Sequence, residues 1–173
     1  MFNLNKEYKL GFRAIKTALA VLISLIISYL FRRPDGFYAS IAAVICMRQT
    51  SEQTISIGLH RLLGTTLGGG IGYFALIILQ STSIPIKEIV PIIIAPVFVL
   101  LIIYICNLIN HKSSIEIGTV VLLGIILQAN HVSQSNLSAL EYVGFRILDT
   151  GIGVVVAMLI NRLIFPRKET QQQ

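Results

Sequence analysis

Arg61-Leu-Leu-Gly64-Thr65-Thr-Leu-Gly68 opens a long apolar run, and the chain writes nearly the same octapeptide twice more. Near the N-terminus it reads Arg13-Ala-Ile-Lys16-Thr17-Ala-Leu-Ala20, and near the C-terminus Arg146-Ile-Leu-Asp149-Thr150-Gly-Ile-Gly153. Each copy pairs a guanidinium with a hydroxyl four residues later. A guanidinium is a planar fork of donors that fits a carboxylate. The hydroxyls have two uses, as a further bond to that carboxylate or as a bond to their own helix carbonyls. On this spacing Arg13, Lys16, Thr17, Arg61, Thr65, Arg146 and Thr150 are candidate binding residues for an organic anion.

Helical offsets of three and four share a face. Arg61, Gly64, Gly68 and Gly72 therefore form one stripe, matched by Arg146, Asp149, Gly153 and Ala157, and by Arg13, Lys16, Ala20 and Ser24. A charge heads each stripe and small residues follow. Inside a bilayer, small residues let helix backbones approach closely, and a charge has to face protein or water. Gly64, Gly68, Gly72 and Gly153 are accordingly read as packing positions. Arg146 and Asp149 stand one turn apart within an expected span. They form either an intrahelical ion pair or a coupling device. In the second case, an anion on Arg146 would deprive Asp149 of its partner and favour its protonation. Arg13, Lys16 and Arg61 have an anchoring alternative, in which they snorkel to lipid headgroups.

The elements that must position these residues are apolar helices. The chain is 54% hydrophobic and 13% charged, with mean hydropathy +0.78, whereas soluble domains carry roughly 25% charged residues. Charge-free runs such as Leu62 to Ile86 and Ile89 to Asn110 exceed the ~20 residues a bilayer crossing needs. The expected architecture is an all-α membrane protein of six spans, at about 11–31, 36–47, 56–80, 89–110, 115–129 and 140–166, with a polar tail at 167–173. The first span is followed by Arg32-Arg33-Pro34-Asp35 rather than a small-residue cleavage site, so it reads as retained. Pro96 predicts a kink in the fourth span. The second and fifth spans are short and occupy corresponding places in two halves of three. Three spans per half require the second half to be inverted, and paired short segments point to a transporter's binding site.

Loop charges orient the chain. With six spans and an internal N-terminus, ten Lys and Arg fall inside and three outside, which places both termini in the cytoplasm. Cys46 and Cys106 lie in apolar runs, where a thiol packs rather than bridges. No Ser-His-Asp or metal-ligating cluster is visible, and GTTLGGGIG lacks the Lys-Ser or Lys-Thr of a phosphate loop. Nothing implies an enzyme, a cofactor, a metal or a nucleic-acid partner.

Several segments resemble a known family. GFRAIKTALAVLISL, FYASIAAVICMRQT and GLHRLLGTTLGGGIG are similar to the N-terminal membrane domain of the aromatic acid exporters, which include the fusaric-acid-resistance-like proteins. EYVGFRILDTGIGVVVAMLINRLIFP fits that family's ending, so the resemblance covers essentially the whole chain. It implies a six-helix membrane domain, often dimeric, that exports aromatic carboxylates or related organic anions; the expected location is the plasma membrane. The plant malate channels have a similar membrane part, which keeps a passive anion channel open as an alternative. Many members continue into a soluble cytoplasmic domain after the sixth span, whereas this sequence ends at Gln173. That keeps a third reading, a non-transporting subunit of a larger complex.

The orientation can be checked by labelling single cysteines in a cysteine-free background. Positions 112 and 168 should react from the cytoplasmic side and positions 83 and 134 from the other. Labelling of 83 and 168 from one side would overturn the six-span layout.

Overall fold

The computed structural model describes residues 11–31, 36–81, 90–127 and 139–163. Within them the chain forms six α-helices: α1 (Phe12–Leu30), α2 (Phe37–Cys46), α3 (Ser51–Ser81), α4 (Val90–Leu108), α5 (Ile115–Leu127) and α6 (Ala139–Leu163). The turn at 32–35, the tail at 167–173 and the loop cations Lys6, Lys9, Lys87, Arg167 and Lys168 lie outside the described residues.

Four helices, α1, α3, α4 and α6, are long and apolar enough to cross a membrane. The other two are short. The 10 residues of α2 and the 13 of α5 reach only about 15 and 20 Å, against a hydrocarbon core of about 30 Å. The α4 helix runs through Pro96 without interruption.

The one clear shift from expectation is the start of α3, which begins at Ser51 rather than at about 56. Capping explains it. Thr50 Oγ1 accepts the Gln53 amide at 3.3 Å, and Thr50-Ser-Glu-Gln53 has the capping-box spacing. Glu52 in the first turn also suits the positive end of the helix dipole. With 31 residues, α3 is about 46 Å long, so it outruns the bilayer core.

The end of α4 is equally explicit. Asn110 adopts a left-handed conformation at φ 58°. His111 N–H reaches the Cys106 carbonyl at 2.9 Å and Asn110 N–H the Asn107 carbonyl at 3.1 Å. This is a Schellman stop, and asparagine is one of the few residues that tolerates it. The 3-10 turn Lys112–Ser114 follows and leads directly into α5.

The helices exchange partners between the two halves. One apolar cluster joins α1, α2 and α6 through Ala20, Ala43, Cys46, Val154, Ala157 and Ile160. A second joins α3, α4 and α5 through Ala75, Ala95, Ile102, Cys106, Leu122 and Ile126. So α2 packs on α6, α5 packs on α3, and α3 lies against α6 between them. Both cysteines are buried free thiols, one in each cluster.

Glycines set these approaches. A Cβ on Gly64 would stand 2.7 Å from the Ser114 carbonyl oxygen, and one on Gly68 would press into the Gly118 backbone. One on Gly72 would meet Ile125 at 2.9 Å. The Gly64-Gly68-Gly72 stripe therefore faces α5. On α6, a Cβ at Gly153 would run into the Ala39 carbonyl of α2.

Gly68→Leu should force α3 from α5 and lower stability by about 1–3 kcal/mol, the usual cost of overpacking. Gly70→Leu is the control, since a Cβ there meets nothing within 4 Å. Thermal unfolding in detergent should separate the two, and equal melting profiles would contradict the packing.

Candidate functional site

A cavity of about 710 Å³ lies among α2, α3, α5 and α6. Each short helix lines it: α2 with Phe37, Tyr38, Ile41 and Ile45, and α5 with Glu116, Ile117, Val120, Val121 and Gly124. The long helices add Ser56, Ile57, His60 and Arg61 from α3 and Arg146 and Thr150 from α6. Arg48, between α2 and α3, and Ser113 complete the wall. Phe37, Ile45 and Val120 are exposed and form part of its rim. The lining thus sets three guanidinium groups against one carboxylate, Glu116.

Arg146 sits about two turns into α6, with its side chain 7% exposed. Its Cζ lies 3.4 Å from the centroid of the Tyr38 ring and 5.6 Å from that of Tyr142. Nη2 donates to the Tyr142 hydroxyl at 3.3 Å. The ring faces supply part of the electrostatic compensation that water would otherwise give. Gly124 makes room on the other side, for a Cβ there would stand 2.8 Å from Nη2. Arg61, about three turns into α3, is 8% exposed. The Nε atoms of Arg48, Arg61 and Arg146 are buried and have no hydrogen-bond partner among the described residues. A buried donor without a partner is costly. At one edge, the His60 ring stands 5.8 Å from that of His111.

The repeated octapeptide has three different fates. Arg61, Arg146 and Thr150 come together in the cavity. Arg13 is exposed, and Thr17 donates to the Arg13 carbonyl at 2.8 Å, a bond within its own helix. Lys16 donates instead to Asn161 Oδ1 at 3.1 Å, away from the cavity lining. Thr65 is buried outside the lining, and its hydroxyl has no partner among the described residues. Asp149 is buried on α6, also outside the lining. The octapeptide pattern does not single out Tyr38, Arg48, Glu116, Gly124 or Asn161, nor His60. Only the two short helices gave a usable signal for the first four, because those helices or their ends carry them.

Long apolar helices, backbone contacts at glycine and a cation-lined cavity define a polytopic α-helical membrane protein. Within that class the chain belongs to the fusaric acid resistance protein-like family, whose model matches residues 12–160. It is also similar to the UPF0421 protein of Bacillus cereus, 25% identical over 162 residues. That match takes in 93% of this chain and 41% of the relative, so the chain spans about two-fifths of the relative's length. No solved structure matches the chain.

Gly124→Ala should displace the Arg146 guanidinium at little cost in stability, since the atom in the way ends a flexible side chain. Modification by the arginine reagent phenylglyoxal, mapped by mass spectrometry, should then be faster at Arg146 by about threefold or more, with the melting temperature nearly unchanged. An unchanged rate would show that Gly124 does not hold Arg146 in place.

Proposed function

We propose that this chain is the membrane part of an exporter of aromatic or other organic acids, and that the 710 Å³ cavity is its anion site. One observation carries the reading: Arg48, Arg61 and Arg146 converge on a single cavity with buried Nε donors that have no described protein partner. A bound carboxylate would accept from these forks. Phe37, Tyr38 and the isoleucines offer apolar surface to the rest of the molecule. A volume of this size suits a small organic ligand. Membership of the family points the same way, to a transporter.

The reading includes six spans in two inverted halves. The exchanged packing of α2 on α6 and α5 on α3 supports it, because each short helix docks on the long third helix of the other half. It also includes a plasma-membrane location with both termini cytoplasmic, and a homodimer, since spans as short as these enclose little on their own. Asp149, buried one turn from Arg146, is assigned proton coupling. It would act through the α6 backbone and the shape of the site rather than as part of the lining.

The test is benzoate flux in proteoliposomes, with light scattering on the same sample to count subunits. Arg61→Gln and Arg146→Gln should each weaken benzoate binding about tenfold or more, because an amide offers no charge to an anion leaving water. Asp149→Asn should abolish uptake driven by a pH gradient and spare exchange at equal pH. Accumulation by the Asn variant under a pH gradient alone would remove Asp149 from the coupling role. Wild-type benzoate current at every pH without coupling would instead identify a channel, and no flux or binding at all would refute the anion site.

A further inference from the structure

Resting on the anion-site reading, we propose that Lys16 and Asn161 are positioning residues that aim Arg48 into the cavity. Arg48 belongs to no helix. It lies after α2, whose C-cap Met47 is already extended at φ −68°, ψ 108°, and before α3 starts at Ser51. Neither helix ladder therefore dictates where its side chain points. Hydrogen bonds from elsewhere do. The Arg48 amide donates to Thr54 Oγ1 at 3.2 Å, and the Arg48 carbonyl accepts from Asn161 Nδ2 at 3.3 Å. Both peptide groups flanking the Arg48 Cα are thereby held, and with them the direction of its Cα–Cβ bond.

Asn161 stands near the end of α6 and is 2% exposed. Its Nδ2 also donates to the Thr50 carbonyl at 3.0 Å and to Thr54 Oγ1 at 2.7 Å, so two hydrogens serve three acceptors. Thr54 in turn donates to the Thr50 carbonyl at 3.0 Å, which leaves it fully satisfied. The amide can face only one way. Lys16 has donors and no acceptor, and it takes Oδ1 at 3.1 Å. Backbone carbonyls have acceptors and no donor, and they take Nδ2. Lys16 on α1 and the Arg48 and Thr50 carbonyls together fix the orientation of Asn161 on α6, and Asn161 holds the backbone that carries Arg48. The cation that begins as a binding candidate in the sequence acts two residues removed from the ligand, through Asn161 and Arg48.

Asn161→Asp tests this with no change in size. The variant keeps the Lys16 partner and turns an acceptor toward the Arg48 and Thr50 carbonyls, where a donor is required. Benzoate Kd should rise about tenfold in the otherwise wild-type protein. In Arg48→Gln protein the same change should move Kd by less than about twofold, because the group it positions is gone. Lys16→Met should weaken binding in the same direction but by less, because Asn161 Nδ2 keeps its acceptors, and Lys16→Arg, which retains a donor for Oδ1, should leave affinity near wild type. A second readout needs no ligand. The Arg48 Nε–Hε cross-peak in NMR spectra, identified by its loss in Arg48→Gln, should shift or broaden in Asn161→Asp while that of Arg146 stays in place. An equal loss of affinity with and without Arg48, or an unmoved Arg48 cross-peak, would overturn the proposal. If wild-type protein binds no benzoate, the anion-site reading fails, and the cross-peak alone still decides whether Asn161 positions Arg48.

Discussion

A guanidinium at membrane depth has lost most of its water, and the protein has to return the missing interactions or leave the cost standing. Arg146 shows how this chain handles it. The cation is pressed on the face of Tyr38 and donates to Tyr142, and a glycine opposite leaves space for the planar group. Each of these partners is neutral. These groups offset part of the cost of burying the cation. Arg61 and Arg48 line the same cavity from α3 and from the connection before it.

The cavity exists because two helices are short. A bundle of six full-length helices with glycine stripes would close on itself, as small-residue interfaces in membranes do. Here α2 ends at Cys46 and α5 at Leu127, and each makes its most extensive contact with a long helix of the other half. Gly153 brings α6 onto α2, and Gly68 brings α3 onto α5, in both cases backbone against backbone. Such contacts allow little sideways adjustment, since no side chain can yield. The space between the two short helices is consequently a fixed feature of the packing, lined by α3 and α6 behind it.

Two kinds of buried cation result, and their partners tell them apart. Lys16 is committed: its ammonium completes a chain of hydrogen bonds through Asn161 and Thr54 to the backbone at Arg48 and Thr50. That chain ties α1, α3 and α6 at one end of the bundle. Arg61 and Arg146 keep Nε donors uncommitted.

Much of this was legible in the sequence by itself. Hydropathy and the scarcity of charge required apolar helices, and the lengths of the runs separated four long ones from two short ones. Glycine spacing of four selected the packing face of α3, and the lengths of α2 and α5 pointed to the cavity wall. The segments GFRAIKTALAVLISL and GLHRLLGTTLGGGIG already carried the family likeness. What the sequence could not resolve was which copy of the repeated octapeptide meets which neighbour. Arg13, Arg61 and Arg146 share a local pattern, yet one is exposed and two line the cavity, because facing depends on the helix packed opposite. Lys16 and Asn161 are 145 positions apart and meet only when α6 crosses to the first half. Local spacing determines which residues share a helix face. Only the exchange of helices between halves decided what each face would see.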